Sequence, residues 1–269
     1  LLSILPARFA ALRFFSLAGK VVVIDEVHSY DTYTSTLVDR LIENLLKVGS
    51  TVIILSATLT AKRRAELVAA AGAKESQINQ AYPLITKVAT GSSQAQHLND
   101  GLASASPPTK VHLETSSPDD SDLFENLAKK VLAGANIVVI RNTVALAQET
   151  FRKIKCCLND QIPEKHLGLI HSRFPQWKRR KNEEKWMTLL GKDSLHRPKG
   201  SLLVSTQIVE QSVDIDADFL VTDLAPVDLL IQRIGRLHRH PRSRPEGFTI
   251  PTCLILQPRV DWTASSTEE

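Results

Sequence analysis

Two adjacent carboxylates follow the first strongly apolar run of the chain. Asp25 and Glu26 come directly after Val21–Ile24, and His28 follows after one valine. An aspartate at the carboxyl end of a parallel strand can hold the magnesium ion that bridges nucleotide phosphates. A neighbouring glutamate can orient and deprotonate an attacking water. The pattern favours nucleotide hydrolysis, but an acidic strand end that faces water stays open as the alternative, because so short a motif also arises by chance.

A pair of hydroxyls marks the end of the next apolar run. Ser56 and Thr58 flank Ala57, one helix and one strand after the acidic motif. Such a turn can couple a phosphate site to a moving element. The tripeptide is common on its own, so its weight depends on its order after Asp25 and Glu26.

The segment Gln232–Arg239 gathers permanent positive charges in an otherwise apolar stretch. Its spacing predicts arginines on one side of a helix, and such a grouping costs free energy unless an anion meets the charges. The charge that develops on a transferred phosphoryl group is such an anion. A basic surface helix, with arginine stems lying along apolar surface, is the alternative.

Polar residues also interrupt a strand-like run between Ser205 and Asp216. Buried polar groups need hydrogen-bond partners. A nucleic-acid backbone or the ribose of a nucleotide could supply them, and an internal loop whose own groups pair is an equally open alternative.

A run of four basic residues, Lys178–Lys181, precedes Glu183 and Glu184. Opposite charges at i, i+4 spacing on a helix favour a solvated face. Contact with nucleic acid is the less favoured interpretation of this run.

The elements that would position these residues alternate short β-branched runs with helical segments, which predicts a parallel α/β fold. Residues 91–109 are rich in glycine, serine and proline and are typical of a linker. We therefore expect a first domain at residues 1–90 with two strands, a second domain at residues 110–258 with a complete doubly wound sheet, and a tail at residues 259–269. The predicted strands are Val21–Asp25, Thr51–Ala57, Lys110–Glu114, Asn136–Asn142, Leu167–His171, Ser201–Thr206, Phe219–Leu224 and Pro251–Leu256, and the predicted helices are Thr34–Lys47, Ala61–Ala71, Leu123–Ala133, Thr143–Leu158, Gln176–Leu190 and Val227–His238.

Composition is that of a globular domain protein, with 43% hydrophobic and 23% charged residues. No apolar run approaches the ~20 residues that cross a bilayer. Three cysteines, two of them adjacent, form no disulfide framework or metal-ligand spacing, so a reducing cytoplasm is expected. The net charge of +4 leans mildly toward a polyanionic partner. The chain begins at Leu1 and its one methionine is Met187, so we expect a fragment.

The motifs resemble, in content and order, motifs II to VI of the CRISPR-associated type I helicase-nucleases, which are superfamily 2 helicases. The resemblance covers about residues 1–258, and a Tyr-Asp extension of the acidic motif and a Leu-His-Arg-His ending separate this family from most DEAD- and DEAH-box RNA helicases. It rests on Asp-Glu-Val-His-Ser-Tyr-Asp (25–31), Ser-Ala-Thr-Leu (56–59), Ile-Arg-Asn-Thr-Val (140–144), Ile-His-Ser-Arg-Phe (170–174), Thr-Gln-Ile-Val-Glu-Gln-Ser-Val-Asp-Ile-Asp (206–216) and Gln-Arg-Ile-Gly-Arg-Leu-His-Arg-His (232–240).

The resemblance implies two RecA-like domains that use ATP and Mg²⁺ to pull single-stranded DNA with 3′-to-5′ polarity, after a Cascade-type surveillance complex has opened an R-loop. No membrane is implied. Asp25 would bind magnesium, Glu26 would activate water, and Arg236 and Arg239 would face the γ-phosphate as catalytic residues. The other implied site residues are Asp214 and Gln232 at the nucleotide, His28, Ser56 and Thr58 in coupling, and Asn142, Thr143, Ser172, Arg173 and Thr206 along the DNA backbone.

Two features depart from the family pattern. No Gly-x-x-x-x-Gly-Lys-Ser/Thr occurs in the sequence, and the family carries that phosphate-binding loop upstream. The family's nuclease domain and C-terminal domain are also not in these residues. We therefore expect a motor core whose first domain is truncated at its N-terminus and which alone has little ATPase activity. A zinc site at His238 and His240 is disfavoured because no cysteine or acidic residue stands at ligand spacing. A DEAH-like RNA helicase and a non-catalytic nucleic-acid-binding fragment remain alternatives.

Overall fold

A computed structural model describes residues 3, 5, 7–27, 32–56, 59–75, 79, 81–98, 109–195, 197–211 and 213–257. The chain divides into two compact units, Leu1–Pro108 and Thr109–Glu269. Within the described residues, no helix is both long enough and apolar enough to cross a membrane.

The first unit is built around a parallel pair of strands. Its elements are α1 (Ala10–Phe15), β1 (Val21–Ile24), α2 (Thr32–Lys47), β2 (Thr51–Ile54), α3 (Ala61–Ala70), β3 (Ile85–Lys87) and β4 (Gln96–Leu98). β1 and β2 pair in parallel, and Ile24 lies opposite Ile54. The apolar faces of α2 and α3 pack on this pair through Val38, Ile42 and Leu67.

A bidentate ion pair joins the two helices of this unit. Arg63 of α3 donates from Nη1 and Nη2 to the two carboxylate oxygens of Asp39 on α2, at 2.8 and 2.7 Å. This geometry raises the pKa of Arg63, mainly through its hydrogen bond to Asp39. After α3 the chain turns at Gly72, which has a φ of 79° and ends the helix as its sequence position predicts.

The antiparallel pair β3–β4 was not predicted. β4 lies inside the segment predicted as a linker, so the linker prediction is wrong for its first part. A strand of three residues is too short to show a hydropathy period. The Gly-Ser-Ser sequence before β4 is typical of a linker, so it gave no indication of a strand. Residues 99–108 lie outside the described residues, so for them the linker stays a prediction.

The second unit is the doubly wound sheet that the sequence predicts. Its six strands are all parallel and stand in the order β5-β10-β9-β6-β8-β7. Its elements are β5 (His112–Ser116), α4 (Leu123–Leu132), β6 (Asn136–Ile140), α5 (Val144–Leu158), β7 (Leu167–Ile170), α6 (Gln176–Leu190), β8 (Ser201–Ser205), α7 (Ile208–Gln211), β9 (Phe219–Asp223), α8 (Val227–Ile234) and β10 (Thr252–Leu256).

Successive residues of the central strands enter two different cores. In β6, Ile137 and Val139 belong to the cluster on one face of the sheet, and Val138 and Ile140 belong to the cluster on the other. Alternate side chains of a strand point to opposite faces, so a strand covered on both sides is mainly apolar, and a polar residue in it needs a buried hydrogen-bond partner. All five residues of β6, β8 and β9 are buried.

Helix α6 approaches β7 closely at one glycine. A side chain at Gly168 would place its Cβ 2.3 Å from Nε1 of Trp186. Trp186 is 1% exposed, so the missing side chain in β7 provides the space that this indole fills. The contact fixes the position of α6 against the edge strand.

Helix α8 ends earlier than the sequence predicts. The prediction extended it to His238, but the helix stops at Ile234 with Gly235 as its C-cap. The backbone of the following residues pairs instead with the segment before β9, since Ala217 N donates to Arg236 O at 2.8 Å and His238 N donates to Ala217 O at 3.0 Å. Tertiary hydrogen bonds therefore replace the last helical turn.

Candidate functional site

The acidic motif lies at the carboxyl end of the β1–β2 pair. Asp25 is exposed and Glu26 is half-buried. The Glu26 backbone N–H donates to Oδ1 of Asp25 at 2.9 Å. Glu26 has a φ of 54°, in the left-handed region, a conformation that costs a non-glycine residue of order 1–3 kcal/mol. Such strain is typical of functional turns.

The hydroxyl motif follows the neighbouring strand. Leu55 N donates to Ile24 O at 2.9 Å, and Val27 N donates to Leu55 O at 3.4 Å. These bonds bring the segment that carries Asp25 and the segment that carries Ser56 to one edge of the sheet. Ser56 is half-buried. His28 and Thr58 lie outside the described residues, so their predicted coupling roles stay predictions.

An exposed aspartate at the end of a strand suits the predicted magnesium chemistry. Mg²⁺ is commonly held by one or two carboxylates, with substrate phosphates and water completing its shell. Among the described residues no cluster of three or more histidine, cysteine, aspartate or glutamate side chains forms a metal cage. Asp25 at a strand end is thus the kind of ligand that a phosphate-bridging metal uses.

In the second unit, three neighbouring strands carry the predicted DNA contacts at one edge. β6, β8 and β7 stand side by side, and the residues directly after each strand share the carboxyl edge of the sheet. The exposed members of this set are Asn142 and Thr143 after β6 and Ser172 and Arg173 after β7. Thr206 after β8 differs from them, because it is only 4% exposed.

Two of these residues also have structural partners. Thr143 is the N-cap of α5, and its hydroxyl accepts a hydrogen bond from Leu146 N. The Asn142 side chain donates to Leu224 O at 2.9 Å, and its Oδ1 accepts from Nη2 of Arg233 at 3.1 Å. Asn142 is therefore held in one orientation at the sheet edge.

Arg233 is the centre of a buried polar network that the sequence did not reveal. Its side chain has no exposed surface, and its Nε donates to Oε1 of Glu210 at 2.7 Å. Nη1 donates to the Thr222 hydroxyl at 2.7 Å and to Asp223 O at 3.1 Å. One guanidinium thus connects α8 to α7, to β9 and, through Asn142, to the loop after β6.

A second buried arginine supports the same edge. Nε of Arg141 lies 3.0 Å from Oδ1 of Asp223, and its Nη1 donates to the Thr150 hydroxyl at 2.9 Å. Asp223 also accepts from Asn142 N at 2.7 Å. Asp223, held by Arg141, binds the backbone N–H of Asn142, and Arg233 binds the Asn142 side chain. The two arginine networks together hold the loop after β6.

The predicted catalytic arginines lie in the loop after α8, not on one side of a helix as predicted. Arg236 is 9% exposed, and its Nη2 donates to the carbonyl oxygen of Glu210. Arg239 is more open, and its Nε lies 2.6 Å from Oδ1 of Asp214, which Nε2 of His240 also approaches at 3.2 Å. Gln232 is half-buried in the last turn of α8. The structure thus brings together Arg239 and Asp214, which were predicted separately.

Two buried carboxylates anchor this arginine loop. Asp216 and Asp218 have fully buried side chains. Oδ1 of Asp216 accepts from Arg239 N at 2.9 Å and from Nη2 of Arg244 at 2.9 Å. Burial would raise the pKa of Asp218, but Arg197 and Arg244 hold it below its ordinary value.

Several polar side chains of the loop between Ser205 and Asp216 have hydrogen-bond or ion-pair partners elsewhere in the second unit. Ser205 Oγ donates to Ile170 O at 2.9 Å, Glu210 pairs with Arg233, and Asp216 pairs with Arg242 at 2.7 Å. The internal-loop alternative therefore holds for these three residues. Gln207 is exposed, and Asp214 has 44% of its side chain exposed, so both are accessible to a ligand.

The six-stranded parallel sheet is the architecture of a RecA-like domain. Residues 133–242 match a family model described as the C-terminal part of the CRISPR-associated nuclease/helicase Cas3. The CRISPR-associated endonuclease/helicase Cas3 of Escherichia coli strain K12 is 37% identical over 266 residues, which cover 96% of this chain and 29% of the relative.

Solved structures agree with the sequence relatives. A T. fusca Cas3-AMPPNP crystal structure matches with a TM-score of 0.84 and 30% identity, over 97% of this chain and 32% of that one. A chain of a CRISPR RNA-guided surveillance complex, pre-nicking, matches with a TM-score of 0.81 and 32% identity, over 97% and 34%. The chain belongs to the Cas3 family of CRISPR-associated helicase-nucleases and spans about three tenths of the length of these relatives.

Proposed function

We propose that this chain is part of an ATP-dependent motor that moves along single-stranded DNA in type I CRISPR interference. The observation that carries the proposal is the set of exposed polar residues that follow strands β6 and β7, which flank β8 in the sheet. The buried Arg233 network supports the loop after β6. Loops at the carboxyl edge of a parallel α/β sheet are where such folds bind their ligands. The net charge of +4 favours a polyanion as that ligand.

Nucleotide hydrolysis is assigned to the acidic motif. Asp25 would hold a magnesium ion, which when bound neutralises charge on the nucleotide phosphates. Glu26 accepts the proton of the attacking water, the work of a general base. Ser56 lies at the same sheet edge, and we assign to it the sensing of the nucleotide state, the role that the sequence motifs also give to His28 and Thr58.

The arginine loop supplies positive charge to the transferred phosphoryl group. Arg239 can exchange its partner Asp214 for a phosphate, because an exposed ion pair is worth only ~0–1 kcal/mol. Arg236 is more buried than Arg239, and its hydrogen bond to Glu210 O orients its guanidinium group. Asp214 and Gln232 flank these arginines and complete the nucleotide side of the second unit.

The DNA strand is proposed to follow the carboxyl edge of the second unit. Asn142, Thr143, Ser172 and Arg173 offer amide, hydroxyl and guanidinium donors to phosphate oxygens, which position a strand without reading its sequence. Thr206 is buried, so we propose that the exposed residues directly after it contact the DNA backbone in its place. A relative's structure is that of a surveillance complex before nicking, and we propose that the same kind of complex supplies the opened DNA strand here.

The test compares DNA with RNA as the stimulating strand. Hydrolysis of ATP is measured in a protein that joins residues 1–269 to a phosphate-binding loop, with oligothymidylate or oligouridylate added. We expect stimulation by the DNA strand and little by the RNA strand. Stimulation by RNA alone would identify an RNA helicase, and strand binding without any hydrolysis would identify a non-catalytic binding module; either result would refute the proposal.

A further inference from the structure

Helix α6 carries two tryptophans in opposite environments. Trp186 is 1% exposed and fills the space beside Gly168, whereas Trp177, in the first turn of the same helix, is 70% exposed. Trp177 follows β7 and the loop that holds Ser172 and Arg173. Tryptophan is enriched where a protein surface meets a partner, so an indole this open beside the proposed DNA edge needs an explanation.

Two cations share the helix face of this indole. Arg180 and Lys181 stand three and four residues after Trp177, the spacing that places side chains side by side on a helix. Both are exposed, and within the described part of the chain neither forms an ion pair. Arg179 behaves differently: its Nε lies 3.3 Å from Oε1 of Glu183. Of the four cations in the basic run, Arg179 is paired with Glu183 and Lys178 lies over the Phe174 ring. Arg180 and Lys181 have no counter-ion among the described residues.

The loop before α6 is a rigid aromatic support. The rings of His171 and Phe174 stack with centroids 4.2 Å apart and planes 7° from parallel. Lys178 Nζ lies 5.3 Å from the centroid of the Phe174 ring. Burial lowers the pKa of His171, and Arg173 lowers it further, so the imidazole is neutral near pH 7. An uncharged stacked pair gives Arg173 and Trp177 a fixed base.

We infer that Trp177 is a stacking platform for a base of the single strand, whose phosphates lie against Arg180 and Lys181. The inference rests on the proposed function and extends its strand past Arg173, beyond the edge strand β7. Alternation of an aromatic face with unpaired cations is how proteins hold single strands without reading their sequence. The unpaired positive charges favour a polyanion over an apolar protein surface as the occupant.

The first experiment uses the fluorescence of the full 269-residue chain. The three tryptophans are Trp177, Trp186 and Trp262. Titration with an oligothymidylate is expected to quench part of the emission, because a base stacks on the exposed indole. The same titration of Trp177→Phe should bind the strand with little change in emission. Equal quenching in both proteins would overturn the inference.

The second experiment measures affinity by the anisotropy of a labelled oligothymidylate. Trp177→Ala should weaken binding by about 5- to 150-fold, the range that corresponds to one stacked base, whereas Trp177→Phe should retain most of the affinity. The urea midpoint of Trp177→Ala should match that of the parent, since the side chain is largely exposed. Unchanged affinity in Trp177→Ala would overturn the inference.

The charges give an independent readout. Arg180→Ala and Lys181→Ala should each reduce the slope of log affinity against log salt by about 0.7, the value for one released counterion on a single strand. Trp177→Ala should leave this slope unchanged. Arg179→Ala is the matched control, because its guanidinium is already paired with Glu183 and should contribute little. Equal slopes in Arg180→Ala, Lys181→Ala and the parent would refute the assignment of these phosphate contacts.

Failure of this inference can be told apart from failure of the proposed function. If the parent chain binds oligothymidylate and Arg173→Ala lowers its salt dependence while Trp177→Ala changes nothing, the stacking platform is refuted and the DNA edge is retained. If the parent chain binds no single strand at all, both proposals fall.

Discussion

Replacement of Arg233 by methionine tests the network under the candidate DNA edge. Methionine is close to the length of the arginine stem but leaves the Glu210 carboxylate, whose residue is 5% exposed, without its cation. Removing one partner of a buried ion pair typically costs about 3–5 kcal/mol. The Thr222 hydroxyl and Asn142 amide also lose their donor. A domain is stabilised by only about 5–15 kcal/mol in total, so we expect Arg233→Met to remove a large part of the stability of the second unit.

Urea unfolding followed by tryptophan emission isolates this unit, because all three tryptophans of the chain fall within Thr109–Glu269. With a urea m-value of about 1–3 kcal/mol per molar, the midpoint should fall by about 1 M or more. Arg239→Met is the control, because its pair with Asp214 is exposed and should be worth ~0–1 kcal/mol. The double variant Arg233→Met/Glu210→Leu should recover most of the loss, since an apolar pair can replace a buried ion pair. A loss no larger than that of Arg239→Met would refute the network.

Three further outcomes follow from the proposed site. Glu26→Gln should lower ATP turnover by ~10²–10⁴-fold while nucleotide affinity is kept; a collapse of affinity with unchanged turnover would reassign Glu26 to binding. Arg236→Lys keeps the charge but loses the planar fork, so DNA-stimulated kcat should fall by on the order of 10³-fold with little change in DNA binding; weaker DNA binding at unchanged kcat would contradict this. Asp218 has a pKa held below its unfolded value of ~3.9, so its contribution to stability is present above about pH 4 and lost as the pH falls through the lower folded value. The difference in urea midpoint between the parent and Asp218→Asn should therefore shrink below about pH 4, and a difference that did not change with pH would contradict the pairing with Arg197 and Arg244.

The sheet of the second unit was predictable because its central strands are covered on both faces. Such strands are mainly apolar, and the apolar residues 137–140 and 219–221 stand out against their polar flanks. Asn142, Ser172 and Thr206 were predicted from the family resemblance, and the structure shows that all three follow strands of one parallel sheet. The resemblance could not show that Thr206 is buried, which depends on how neighbouring loops pack.

The pairing of charged residues was beyond sequence reasoning. Arg233 lies in the same basic segment as Arg236 and Arg239, yet only Arg233 is fully enclosed, and its partner Glu210 comes from a different helix. The signal that could have marked it is its place within α8, whose other inward positions are apolar: a cation there requires a buried acid. The exposure of Trp177 was also missed, because the sequence alone does not distinguish it from the buried Trp186 of the same helix.

The anchoring of the arginine loop on Asp216 and Asp218 has a mechanical consequence. Backbone pairing at Ala217 and the salt bridges of Arg242 and Arg244 tie residues 236–244 to the start of β9 at several points. A segment braced in this way has little compliance, so Arg236 and Arg239 cannot swing as a free loop does. In the proposed motor, a load on these guanidinium groups would pass through these bonds into the start of β9.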